Sequence, residues 1–249
     1  MQGLVDYGTY HLNPFEEFLC VVISLVLSLA AAWILYKSPW GMLLEIIILP
    51  VCRNYYRKER IAKRKRELLL QFKEAMQSIS VAVMSGYSIE NAWKEAEKEL
   101  GELYGVTAYM TEEMRQMNSG IRTNQPVEQL LHQFAERSAS EEIIEFAEIF
   151  QFAKRSGGNF GKIIQKTVSQ IAEKMEVEQE IETVIAGKKM EQKIMNTVPV
   201  CLLAYLNITS EEFLAPLYGN LFGVCVMTLA FLAYLCALIW AHKMVDITI

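Results

Sequence analysis

Proline and glycine are scarce in this chain of 249 residues, at 6 and 13, and histidine occurs only 3 times. Beside a 52% hydrophobic content, that scarcity excludes a collagen-like repeat and a disordered chain. Charge is lacking at both ends: no Lys or Arg precedes Lys37, and residues 221–240 carry no charge at all. The formal net charge of −5 argues against a general nucleic-acid binder. No CxxC spacing links Cys20, Cys52, Cys201, Cys225 and Cys236, which fall in or beside apolar stretches. They read as small apolar residues rather than a disulfide framework or a zinc site.

What is present is a segregated chain, apolar at its ends and charged in its middle. Residues 18–36 are uncharged and span roughly 28 Å as a helix; residues 221–240 span about 30 Å, the thickness of a bilayer core. Two weaker apolar stretches lie inside these, at 40–52 (interrupted by Glu45) and 194–208. The expectation is an integral membrane protein with four transmembrane segments in two hairpins. Residues 1–52 and 191–249 form the hairpins, and residues 53–190 form the domain between them.

Basic residues near a membrane mark its cytoplasmic side. Arg53, Arg57, Lys58, Arg60, Lys63, Arg64, Lys65 and Arg66 crowd the exit of the second segment, and Lys188, Lys189 and Lys193 precede the third. The stretch 209–220 carries Glu211 and Glu212 and no Lys or Arg. Residues 53–190 are therefore expected in the cytoplasm, while the side of the N-terminus stays open. The basic run at 53–66 reads as a topology anchor touching anionic lipid, not as a nucleic-acid patch.

The middle of the chain shows helical periodicity and no strand alternation. Leu69, Phe72, Met76, Ile79 and Val83 form one stripe; Gly86 ends that helix and Ser88 caps the next, with Ile89, Ala92, Trp93, Ala96, Leu100 and Leu103 inward. A short helix through Met114 and Met117 is expected to stop at Asn118-Ser119-Gly120. Pro126 suits the first turn of another, capped by Asn124 or Gln125. Ser138 and Glu141 have capping-box spacing. Gly157-Gly158 break the chain, and Asn159 caps the longest pattern, through Ile164, Val168, Ile171 and Met175. The expected fold is all-α: an antiparallel cytoplasmic bundle of about six helices whose first and last run into the membrane.

Between residues 67 and 185 there are 20 acidic and 11 basic side chains, a local net of −9. Glu95, Glu97, Glu99 and Glu102 make a candidate docking surface for a basic partner, the plainer reading being a solvated face. A phosphate loop needs a glycine five positions before its Gly-Lys pair and a Ser or Thr after it; Ser156 and Ile163 stand there instead. His11, His132 and His242 lie far apart, with no HExxH. No catalytic residue, cofactor site or metal site is expected, and the chain reads as no enzyme. Glu45 is an intramembrane acid, a functional candidate by type. Pro199 removes a backbone hydrogen bond from a long helix and is a candidate hinge.

These residues resemble the type II secretion system F-domain family, and more specifically the single-repeat platform proteins of Flp/Tad pilus assembly. The resemblance covers roughly residues 66–241. It rests on the stretch 72–88 with its turn Val83-Met84-Ser85-Gly86-Tyr87-Ser88, on Gly120 with Leu130 and Ala135-Glu136-Arg137, on Gly157-Gly158-Asn159-Phe160, and on Pro199 ahead of an apolar hairpin. The family usually has leucine where Phe160 stands, and its N-terminal hairpin is longer. The resemblance implies an inner-membrane platform that passes the motion of a hexameric secretion ATPase to pilin or pseudopilin subunits. It also implies pairing with a second platform protein or a second copy. Two other classes compete: a membrane scaffold or signalling protein that oligomerises through its bundle, and a small transporter. A single internal acid gives the transporter little polar lining.

Overall fold

The structure, a computed structural model, describes residues 5–10, 12–35, 45–156, 160–210, 218 and 220–245. Among them there are eight helices and no strand: α1 (Pro14–Leu35), α2 (Glu45–Met84), α3 (Ile89–Tyr104), α4 (Tyr109–Arg122), α5 (Val127–Ser138), α6 (Glu141–Ser156), α7 (Phe160–Thr209) and α8 (Leu221–Val245). The chain divides into two compact units. The first joins residues 1–11 to 57–177, and the second joins 12–56 to 178–249.

The first unit is a helical bundle drawing on α2 to α7, all-α as expected. Its core follows the sequence stripes: Phe72, Met76 and Ile79 from α2, Ala92, Trp93, Ala96 and Leu100 from α3, and Ile164, Val168 and Ile171 from α7 are all buried. Edge-to-face rings run through it, Phe72 on Phe146 at 5.2 Å, Trp93 on Phe150 at 5.3 Å and Phe160 on Phe150 at 5.0 Å. Such pairs add about 0.5–1.5 kcal/mol each beyond burial. Phe160 thus fills a packing position with a ring that Phe150 meets directly.

The α2–α3 turn forms as the residues dictate. Gly86 takes φ 91°, the left-handed region a side chain resists. Its N–H donates to Val83 O at 3.0 Å and that of Tyr87 to Ala82 O at 3.1 Å, the paired bonds that close a helix C-terminus. Ser88 then accepts from Asn91 N and caps α3.

Three local expectations give way. The helix expected to stop at Asn118-Ser119-Gly120 runs on to Arg122. Asn118 is buried, and its amide donates to Trp93 O (3.2 Å) and Glu97 (2.7 Å), so the side chain is satisfied without breaking the helix. Pro126 is the N-cap of α5 and has no side-chain cap. The Ser138 capping box does not form: Ser138 is the last residue of α5, and its hydroxyl is engaged by Ala135 O and Ser140 N. Ala139 turns the corner at φ 51°, and Ser140 precedes α6.

In the second unit, Phe222–Ala241 on α8 is the one stretch among the described residues long and apolar enough to cross a bilayer. Only 11% of it is buried, where a soluble core helix is mostly buried. One candidate span therefore stands where the sequence led us to expect four.

Candidate functional site

The α2–α3 hairpin leaves a groove of about 340 Å³ between its helices. Its apolar wall is Val81 and Leu103, 57% and 64% exposed, and its charges are Glu74, Glu95 and Glu99. Glu99 is held in place by the hydroxyl of Ser78 across the groove. No basic side chain is in its lining, though Lys73 meets Glu74 at 2.9 Å and Lys98 meets Glu95 at 3.9 Å from outside it. Exposed aliphatic surface rimmed by carboxylates suits a basic, partly apolar segment.

The four glutamates expected to act as one surface are split. Glu97 faces the other side of α3, where it accepts from Asn118 and pairs with Arg115 at 3.7 Å. Glu102, two turns on from Glu95, lies outside the groove lining, among Lys94, Lys98, Arg115 and Arg122. Helical geometry explains the split: Glu95 and Glu99 are one turn apart, whereas Glu97 points across the axis.

A buried charge cluster in the first unit escapes sequence reading. Glu113 on α4 is 1% exposed and receives both Nη1 (3.0 Å) and Nη2 (2.7 Å) of Arg137 from α5. The phenol of Tyr7 adds a third bond at 3.1 Å. Burial first, then the neighbouring carboxylate, pushes the Tyr7 phenol far above its ordinary range, so it stays a donor at any physiological pH. One signal was available: Glu113 falls inside the apolar stripe of Met110, Met114 and Met117. Gln71, also buried, accepts from Met110 N at 3.0 Å and so caps α4, which has no side-chain cap of its own.

Two further ion pairs tie α6 to its neighbours, Lys154–Glu128 at 2.8 Å and Lys174–Glu142 at 2.7 Å. Burial alone would raise both carboxyls, but hydrogen bonds from the lysines outweigh it and hold both below the usual carboxylate value. A lowered folded pKa gives stability that is present above the unfolded value and lost as pH falls through the folded one. Thermal stability should therefore fall as pH drops below about 4.5, and Glu142→Gln with Glu128→Gln should lower the midpoint more at pH 7 than in acid.

Gly120, Leu130 and Pro199 have definite places. A Cβ on Gly120 would come within 2.7 Å of Leu130, so the glycine permits the close approach of α4 and α5. Pro199 lies inside α7, where it cannot donate to the carbonyl of Met195. The hydroxyl of Tyr234 on α8 donates to the next carbonyl, that of Asn196. Gly157, Gly158 and Asn159 lie outside the described residues, as does the side chain of Glu45. In the basic run, Arg64 bonds the carbonyl of Asp6 (3.0 Å) and Lys65 that of Ala139 (2.6 Å), so both serve the bundle. Among the described residues no group of three or more His, Cys, Asp or Glu could hold a metal ion. No model of a known protein family, no curated protein and no solved structure matches the chain.

Proposed function

We propose that this chain is a non-enzymatic inner-membrane platform protein of a Flp/Tad-type pilus or a type II secretion machine, coupling a cytoplasmic hexameric secretion ATPase to the assembly of pilin or pseudopilin subunits. The observation that supports this best is that α2 and α7, of 40 and 50 residues, each belong to both compact units without a break. An α-helix resists bending, so a displacement of the bundle reaches the apolar unit along two continuous rods. The groove with Glu95 and Glu99 supplies the docking surface for a basic segment of the ATPase.

In this reading α1, the start of α2, the end of α7 and α8 cross the membrane as two hairpins, with residues 53–190 cytoplasmic. The faces of α1 support it. Glu16, Cys20, Ser24, Ser28 and Ala32 repeat every four residues and are buried, while Phe18, Val26, Leu27 and Trp33 are exposed. A small-residue stripe packed inward and large apolar residues outward is the pattern of a helix packed within lipid. The platform works beside a second platform protein or a second copy.

Deleting the chain from its source cell should abolish surface pili or secreted pseudopilin, and the intact chain should restore them. Pro199→Ala should insert normally and accumulate to wild-type levels, yet lower pilus output, because the added N–H stiffens α7 at its flexible point. Normal piliation at normal protein level would remove the hinge.

A further inference from the structure

Residues 5–10 lie outside any helix and bury one side chain. Tyr7 is 2% exposed, whereas Val5, Asp6 and Thr9 are exposed. Its ring sits edge-on to Tyr109 at 6.0 Å and to Phe134 at 6.4 Å, with the guanidinium of Arg64 4.7 Å above its centre. Main-chain bonds hold the segment on either side. Tyr7 N donates to Arg137 O at 3.0 Å, Arg137 Nη1 donates to Val5 O at 3.1 Å, and Arg64 Nη2 to Asp6 O at 3.0 Å. Asp6 accepts from Gly8 N at 2.8 Å and curls the segment into a tight turn. A Cβ on Gly8 would lie 3.3 Å from that of Ala139, so the segment is flush with the α5–α6 corner.

The slot is built by the bundle: Glu113 and Arg137 bond each other twice, and Tyr109 and Phe134 belong to the bundle helices. Its charges also bond the segment, Arg64 and Arg137 through carbonyls and Glu113 through the Tyr7 phenol. The segment has no helix or sheet of its own, and the Tyr7 side chain is its buried anchor.

We propose that residues 5–10 are a strap, seated through Tyr7 in the bundle, and that the strap keeps the N-terminus on the bundle's side of the membrane. The stretch 12–56 is then tied to the bundle side at both ends, by the strap before it and by the remainder of α2 after it. It must cross the bilayer an even number of times. This inference rests on the Tyr7 contacts and on the membrane reading of residues 12–56, not on the pilus reading, so the pilus reading can fail without it.

The test uses the full chain in native membranes, cysteine-free apart from Thr9→Cys, with Lys63→Cys in a parallel chain as the bundle-side reference. A membrane-impermeant maleimide should label both positions in inverted vesicles and neither in right-side-out vesicles. Tyr7→Ala loses the aromatic anchor and should lower the thermal midpoint of the solubilised chain, and Tyr7→Phe, which keeps the ring and loses the bond to Glu113, should lower it by less. Labelling of position 9 from the face opposite to position 63 would overturn the placement of the N-terminus. A Tyr7→Ala midpoint equal to that of the wild type would overturn the strap.

Discussion

Arg137→Ala should destabilise the helical bundle by about 3–5 kcal/mol, a large share of the roughly 5–15 kcal/mol that holds a domain folded. The side chain of Glu113 is 2% exposed, and Arg137 supplies both of its charge-assisted bonds. Removing the guanidinium leaves a buried carboxylate with only a neutral phenol donor, Tyr7. Tyr7 N–H bonds the backbone of residue 137 and survives the substitution, but Arg137 Nη1 also holds Val5 O, so the strap loosens too. Adding Glu113→Gln to Arg137→Ala should recover part of the loss, since an amide carries no charge to desolvate. Denaturant unfolding followed by helical circular dichroism in detergent measures both. A loss below about 1 kcal/mol for Arg137→Ala, the size of an exposed pair, would mean the pair is solvated.

The second large effect concerns the groove. Glu95→Lys with Glu99→Lys places two positive charges where a basic segment is proposed to dock, and should weaken ATPase association by about tenfold or more. The effect should shrink as salt rises, because exposed charges are screened. Glu102→Lys, outside the groove lining, should weaken association less. Glu97→Lys should act differently again: it breaks the contacts with Asn118 and Arg115 and should lower stability rather than affinity alone. Titration of the solubilised chain with the ATPase separates these outcomes. Equal weakening by all three would show a diffuse acidic field instead of a groove.

Much of the bundle could be read from the residues because its information is local. The stripe from Phe72 to Ile79 buries as its spacing requires, and Gly86 and Ser88 end one helix and start the next through bonds within a few residues. What escaped is what the fold supplies from a distance. Asn118 reads as a helix stop until Trp93 O and Glu97 occupy its amide. Ser138 reads as a cap until Ala139 turns left-handed behind it. Glu97 belongs with Glu95 in a count of charges, but the pitch of α3 sends it to the far side. Tyr7 has no periodic neighbour at all, so nothing near it in the chain announces a core residue. Its partners stand 106 residues away at Glu113 and 130 at Arg137.

The central claim is that an inert helical body relays force made by another protein. The most direct measurement is to purify the intact chain from its native membranes, ask whether the hexameric secretion ATPase comes with it, and then assay the separated chain for ATP hydrolysis. The account predicts that the ATPase is recovered with the wild-type chain, and that the chain alone releases no phosphate. Phosphate release by the chain alone would contradict it.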